Sequence, residues 1–445
     1  MVFEFITPFQ LGLLSFPVLL LVIALRIPLA ASMFVIGLLG TYLVSGNIRM
    51  MDSQLKTFTY GTLTNYSLSI IPLFLLMSEF ATRGGMSAAL FNAAQAWLGH
   101  RRGGLAMAAI GASAGFGAVC GSSLATASAM GRVALPELDK AGYSGALSTG
   151  ALAAGGTLGI LIPPSVVLVI YAILAEENIE KLFTAAFIPG LIAMLGYMAT
   201  IAIYARVVPN SVGVAARLAY RQRFRALFAV WPVMLIFALV IGGIYTGAFS
   251  PTAAAAVGVA GTALVAIANR SLTLNALKES LLSTAKTSAM IFFIIVSAGV
   301  FNSFLSSAQV PQTLAAFFLE ADVSPWMILI GMLLMYLLLG MVMDSLAMIF
   351  LTVPIFVPII TQLDFGIPPS EVGIWFGILV LMSAEIGLIT PPVGLNLFVI
   401  NNMSKNVSIG ETYKGALPFV LSDIVRIALL VAFPAITLGL VRLFY

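Results

Sequence analysis

The chain has 445 residues, of which 61% are hydrophobic and 9% charged, with a formal net charge of +4. Soluble domains carry roughly 25% charged residues, so this composition, with a mean hydropathy of +1.09, excludes a soluble globular protein and points to a polytopic membrane protein. The small positive excess belongs to membrane topology rather than nucleic-acid binding. The single Cys120 excludes an internal disulfide, and with the single His100 it cannot make a metal site.

The apolar runs are long and continuous rather than alternating, so helices are expected and a barrel is not. The first runs cover 9–25, 28–45 and 66–81. The opening Met1-Val2-Phe3-Glu4 lacks a basic leader region, so the first run is expected to stay as a helix. A connector at 86–99 leads into 104–136, which is apolar but interrupted at Cys120-Gly121-Ser122-Ser123-Leu124-Ala125. Small residues there let backbones approach closely and leave carbonyls and hydroxyls free to coordinate. Each arm of about 15 residues reaches about 22 Å, short of a hydrocarbon core of about 30 Å. A re-entrant hairpin is therefore expected. The run 146–175 follows, interrupted by Gly159-Ile160-Leu161-Ile162-Pro163-Pro164-Ser165, then 184–206 and a basic loop at 206–226 carrying Arg217, Arg221, Arg223 and Arg225.

The same order then returns: runs at 228–248, 251–268 and 282–304, a connector at 306–320, an interrupted stretch at 326–360, a run at 371–402 and a terminal helix at 416–441. Asp344-Ser345-Leu346-Ala347 answers the first tip at an offset of 222, and Gly387-Leu388-Ile389-Thr390-Pro391-Pro392 answers the first Pro-Pro break at 228. Upstream, Phe16-Pro17-Val18-Leu19-Leu20 resembles Trp231-Pro232-Val233-Met234-Leu235, and Pro28-Leu29-Ala30-Ala31 resembles Pro251-Thr252-Ala253-Ala254. Four matches in one order argue for duplication. The expected organisation is a first repeat over 1–205, the basic loop 206–226 and a second repeat over 227–445.

Arg101, Arg102, Arg132 and Lys140 flank the first hairpin, with Glu137 and Asp139; only acids, Glu320, Asp322, Asp364 and Glu371, flank the second. The positive-inside tendency opens the first hairpin to the cytoplasm and the second to the outside. The 206–225 loop, Lys405 and Lys414 then fall inside and both termini outside, with Arg49 and Lys56 a mild violation on the outer side. The two repeats are thus expected to be inverted, the arrangement of secondary transporters.

A hairpin tip at bilayer depth is tolerable only when buried in protein or lining a cavity. A proline break frees further carbonyls, so tip plus break makes an oxygen cage of the kind that binds sodium. Close packing and simple kinking would use the same residues; their recurrence in both copies favours the cage. Asp344 and Glu385, acids within apolar segments, are functional candidates. Asp344 would supply a ligand or cap a half-helix, and Glu385 would orient the second break. Asp423 and Arg426, three apart, read as an internal ion pair rather than a substrate contact. Asn396, Thr390, Asn401 and Asn402 are polar enough to reach a cavity, and Cys120 reads as a small packing residue. His100, Trp97, Trp326 and Trp375 read as interfacial. No phosphate loop of Walker type and no catalytic constellation is present, so ATP-driven transport and enzyme activity are not expected.

At Gly121-Ser122-Ser123-Leu124-Ala125-Thr126, at the two Pro-Pro motifs and at Met343-Asp344-Ser345, the chain resembles the large membrane subunit of tripartite ATP-independent periplasmic (TRAP) transporters, over essentially its whole length. The resemblance implies an all-α inverted-repeat secondary transporter with two re-entrant helical hairpins and two broken helices, arranged as a scaffold and a moving transport region of elevator type. It implies sodium-driven uptake across the bacterial inner membrane of a small organic acid such as a C4-dicarboxylate or sialic acid. It further implies a small four-helix membrane subunit, expected here as a separate chain, and a periplasmic substrate-binding protein. Carried onto this sequence, one sodium site falls on Gly121, Ser122, Ser123, Gly159, Ile162 and Pro163, and another on Met343, Asp344, Ser345, Gly387, Thr390 and Pro392. Two or more ions are expected. The substrate is expected between the tips, near Ser123, Pro164, Ser165, Ser345, Pro392 and Asn396, where half-helix N-termini favour an anion. The related stand-alone sodium/dicarboxylate symporters are the alternative; their tips read Ser-Asn-Thr, whereas these read Ser-Ser-Leu and Asp-Ser-Leu. A non-transporting scaffold or receptor would have no need of two broken hairpins.

Overall fold

Hydroxyl, amide and proline residues start most of the helices in the computed structural model, which describes residues 6–320 and 323–445. Residues 1–5, on which the leader reading rests, and Asp322 lie outside the described residues. The first ten helices are α1 (Pro8–Ala24), α2 (Leu29–Ser45), α3 (Ile48–Thr64), α4 (Ile70–Arg83), α5 (Met86–Leu98), α6 (Gly104–Cys120), α7 (Ser123–Lys140), α8 (Gly145–Leu161), α9 (Val166–Leu174) and α10 (Ile179–Val207). They are followed by α11 (Tyr220–Phe228), α12 (Trp231–Tyr245), α13 (Pro251–Ala268), α14 (Leu274–Ser307), α15 (Val310–Glu320) and α16 (Pro325–Gly340). The chain closes with α17 (Ser345–Ile360), α18 (Pro369–Leu388), α19 (Leu395–Met403), α20 (Ile409–Ala432) and α21 (Pro434–Phe444). No strand occurs among the described residues.

The order of short connector, helix pair and broken helix recurs: α5 to α9 in the first half, α15 to α19 in the second. Ser122 caps α7, Ser144 α8 and Ser165 α9, each hydroxyl accepting a backbone N–H three residues on. The axes of α8 and α9 meet at 47° across the Pro-Pro break. The Pro163–Pro164 and Pro391–Pro392 bonds are both cis. Among the described residues five helices, α10, α13, α14, α18 and α20, are by themselves long and apolar enough to cross a membrane.

Four expectations about the elements change. Hydropathy leaves 46–65 without an element, yet it forms α3, a polar helix capped by Asn47 at 2.9 Å. Part of the basic loop is helical, as α11. The third run of the second half starts earlier, at Leu274, because Lys278, Glu279 and Lys286 dilute the hydropathy of what is one continuous helix. The terminal helix is two, since Pro434 removes an N–H and starts α21.

The chain divides into two compact units, each drawing on both halves of the sequence. One comprises Met1–Ser69, Ala285–Met332 and Leu346–Gly373. In it α2 lies close against α14: a Cβ at Gly37 would come within 2.8 Å of the Phe301 backbone. Thr41 Oγ1 donates to Gln54 Oε1 (3.0 Å) and Gln54 Nε2 donates to Ser303 Oγ (2.7 Å), tying α2, α3 and α14 together.

The other unit comprises Ile70–Thr284, Leu333–Ser345 and Ile374–Tyr445. Its axis is α8, buried from Leu147 to Leu161 and packed by α6, α7, α10, α19 and α20. Gly, Ala, Ser and Thr dominate α8, which allows this crowding; its Gly150 meets the Gly415 backbone of α20. Trp375 is fully buried and donates Nε1–H to Leu430 O at 3.1 Å, so it anchors α18 to α20 inside the protein and not at the membrane interface.

Candidate functional site

The first tip, both breaks and the second tip as far as Ser345 belong to the unit built around α8. In the first copy, α6 ends at Cys120 and the chain turns through Gly121, whose φ of +65° suits glycine. A side chain there would also meet Pro164 O at 3.0 Å and Val166 N at 3.3 Å, so the tip abuts the break directly. One turn earlier, a Cβ on Gly117 would lie 2.6 Å from Gly159 Cα, and one on Gly159 would lie 2.6 Å from Ser122 O. The sequence thus brings Gly121, Ser122 and Gly159 together with Pro164 and Ser165. Ile162, Pro163, Pro164 and Ser165 are all buried. Their surroundings present backbone carbonyls and N–H groups rather than charge.

The second copy repeats the glycine contact. A Cβ on Gly387 would sit 2.5 Å from Gly340 Cα; Gly387 answers Gly159 at the offset of 228, and Gly340 lies one residue past the counterpart of Gly117 at the tip offset of 222. Gly394 N donates to Met341 O at 3.3 Å, binding the second break to the second tip. Asp344 immediately precedes the first residue of α17, where an acid complements the helix N-terminus. Ser345 Oγ donates to Glu385 Oε1 at 2.9 Å, so Glu385 steadies the tip serine, while its Oε2 is buried without a hydrogen-bond partner. Thr390 Oγ1 donates to Ile386 O (2.6 Å), and Pro392 O accepts from Tyr413 OH (2.6 Å). Met343 is buried and Pro392 exposed, so the second break is more open than the first.

Asn396 is the residue whose place the repeat does not foretell. It belongs to α19 of the second copy but lies against the first: its Nδ2 donates to Ala153 O at 3.2 Å. A Cβ on Gly156 would be 3.1 Å from both Asn396 Nδ2 and Ser123 O, so only glycine lets these groups share one spot. The Asn396 Oδ1 is buried without a hydrogen-bond partner. The first turns of α7 and α19 therefore converge on α8, while the start of α9 abuts the first tip. Each such turn offers unpaired N–H groups to an anion.

The sequence places Thr126 in the first tip motif without giving it a role in the sodium site. Its Oγ1 is buried without a hydrogen-bond partner of good geometry and faces Gly159. Its position three residues after Ser123, on the same helix face, was the available signal. Behind the first tip, Cys120 Sγ and Ser78 Oγ are 2.8 Å apart. Beside Ser78 opens a cavity of about 460 Å³ between α4 and α7, lined by Glu79, Arg83, Ser128 and Arg132. Asp423 and Arg426 form the expected ion pair (2.8 Å, both buried). Tyr197 OH donates to Asp423 Oδ2 at 2.7 Å and lies 3.0 Å from Thr157 Oγ1, carrying the network across to α8. Asn401 Nδ2 donates to Val407 O and Thr412 Oγ1, a loop-holding role.

Residues 16–436 match the family model described as the DctM component of tripartite ATP-independent periplasmic transporters. The chain is similar to a C4-dicarboxylate TRAP transporter large permease protein of Pseudomonas aeruginosa, with 40% identity over 383 residues, covering 86% of this chain and 87% of that one. It is 31% identical over 420 residues to a sialic acid TRAP transporter permease protein of Haemophilus influenzae, covering 94% of this chain and 66% of that one. It is 32% identical over 424 residues to an ectoine TRAP transporter large permease protein of Halomonas elongata, covering 95% and 96%. Among solved structures, the YdaH transporter of Alcanivorax borkumensis superposes with a TM-score of 0.65 at 14% identity over 88% of this chain and 89% of that one, a likeness of fold.

Proposed function

Because the chain belongs to the DctM component family of tripartite ATP-independent periplasmic transporters, and so is a TRAP large permease, we propose that it drives sodium-coupled import of a small organic acid. The observation that carries this reading is the doubled contact of hairpin arm on broken helix, Gly117 on Gly159 and Gly340 on Gly387. Only paired glycines bring a tip and a break close enough for their backbone oxygens to surround one small cation. Ser122 O and Thr126 Oγ1 near Gly159, with Pro164 O near Gly121, supply such a set in the first copy. Ser345, Asp344 and the carbonyls around Thr390 supply it in the second.

The first donor set supports sodium over a proton, since it holds neutral oxygens alone; the second adds the Asp344 carboxylate, with Glu385 hydrogen-bonded to its Ser345. Two or more ions, one per copy, follow from the duplication. The anion would sit where the first turns of α7 and α19 converge beside the break, with Asn396 and Ser123 as polar contacts and the N–H groups of those turns opposing its charge. C4-dicarboxylates, sialic acid and ectoine, the substrates named for the relatives, share a carboxylate, which supports a carboxylate here. Inverted repeats with re-entrant hairpins, and an elevator movement of one region against a scaffold, complete the proposal. So do placement in the bacterial inner membrane with both termini periplasmic, a separate small membrane subunit, and a periplasmic binding protein that delivers the substrate.

Reconstituted into vesicles with those two partners, the chain is expected to accumulate a carboxylate only under an inward sodium gradient. Full uptake driven by a pH gradient in sodium-free buffer would overturn sodium coupling.

A further inference from the structure

The basic segment between the repeats is folded, and its fold makes more than a topological signal. Over residues 206–229 there are five arginines and no acid. Arg217, Arg221 and Arg225 are exposed, the last two stacked one turn apart on α11. Tyr220, Phe224, Leu227 and Phe228 follow at helical spacing on another face, and they too are exposed, Phe228 at 74%. A helix with arginines on one side and bare aromatic and aliphatic groups on the other suits a membrane surface. It leads straight into the apolar α12 through a bend of 43°.

Beneath α11 lies a set of buried polar atoms without hydrogen-bond partners. Arg223 is only 4% exposed, its guanidinium 5.2 Å from the Tyr220 ring centroid and 6.0 Å from that of Trp97 on α5. Its Nε–H donates to Leu218 O at 3.0 Å, but its Nη2 is buried with no hydrogen-bond partner. Trp97 Nε1 and His100 Nδ1, beside it, are likewise buried and unpartnered. Trp97 also meets Phe224 edge-on at 5.5 Å, and Ala215 N donates to Gly99 O at 3.0 Å, which pins the segment to the end of α5. Arg101 and Arg102 extend the same patch. The acids on the neighbouring end of α7, Glu137 and Asp139, come with Lys140, which pairs with Glu137 at 2.8 Å. Desolvation, and then the charges of Arg223, Arg217 and Arg101, hold the His100 imidazole below its ordinary pKa.

We propose that α11 and the 99–102 turn form a binding site for the phosphate headgroup of an anionic phospholipid, with Phe224, Leu227 and Phe228 at the acyl boundary. Charge complementarity selects an anion; the bare apolar face adjoining the arginines selects a lipid over free phosphate. Each exposed arginine near an anionic surface contributes about 1 kcal/mol, about fivefold in affinity. The site is independent of which acid the protein moves.

Delipidated full-length protein in neutral detergent, titrated with phosphatidylglycerol or phosphatidylcholine and read by native mass spectrometry, tests it. Phosphatidylglycerol is expected to stay bound preferentially, and excess inorganic phosphate to leave it bound. Arg221→Gln with Arg225→Gln should cut that preference about 25-fold, whereas Arg221→Lys with Arg225→Lys, which keeps both charges, should retain most of it. The Lys pair also guards against misfolding as an explanation. Equal retention of the two lipids, complete displacement by inorganic phosphate, or an unchanged preference in the Gln pair would each overturn the proposal.

Discussion

The Ser345 hydroxyl donates its hydrogen bond to Glu385 at 2.9 Å, which leaves the oxygen lone pairs for a cation. Replacing Ser345 with Ala should therefore raise the sodium concentration for half-maximal transport about tenfold if the lost ligand is worth about 1.4 kcal/mol. Ser123→Ala should do the same in the first copy. Were both silent while the bulkier Leu variants failed to fold, the serines would be packing groups only. Glu385→Gln keeps an acceptor for the Ser345 hydroxyl and should perturb sodium dependence less than Ser345→Ala, as a sodium titration of each variant would show. The Asp423–Arg426 pair belongs to stability. Asp423→Ala leaves Arg426 buried and Tyr197 without its acceptor, so a loss of about 3–5 kcal/mol is expected, measured as a lowered melting temperature. Exchanging both charged residues for Leu and Met should recover most of that loss. The i,i+3 spacing foretold the pair itself; nothing local in the sequence foretold that Tyr197, 226 residues away, would join it.

At the scale of elements, the glycine contacts decide how closely a hairpin can approach its break. Gly159→Val would push a branched side chain into Ser122 O and Thr126, and Gly387→Val would drive one into Gly340. Each is expected to abolish transport at undiminished membrane expression, or to prevent folding outright, while Gly242→Ala, with nothing within 4 Å, should behave as wild type. Uptake and expression measured side by side distinguish these results; normal transport by both valine variants would remove the basis for the tip-and-break cages. The proline breaks and the small-residue tips were legible because proline and glycine impose local geometry whatever surrounds them. The polar helix α3 was not, because its Arg49, Asp52 and Lys56 erase the hydropathy by which the other helices announce themselves.

For the whole molecule, the expected inversion places Arg101 and Arg132 on the side opposite Glu320 and Asp364. Single cysteines at these four positions, in a Cys120→Ser background, should react with an impermeant thiol reagent from opposite faces of the membrane. Labelling of both hairpin flanks from one face would refute the inversion. The sequence by itself determined that this is a membrane protein of helices, that its motif order is doubled, and which short stretches interrupt the helices, because all three rest on composition and local backbone chemistry. The folded chain alone decided which of those stretches meet. Asn396 of the second copy lies by Ser123 of the first, Trp375 turns inward to α20, and Trp97, His100 and Arg223 gather under α11. Such meetings depend on which helices pack around the small-residue face of α8 and on the end of α5, and a periodic pattern specifies a face without specifying its partner.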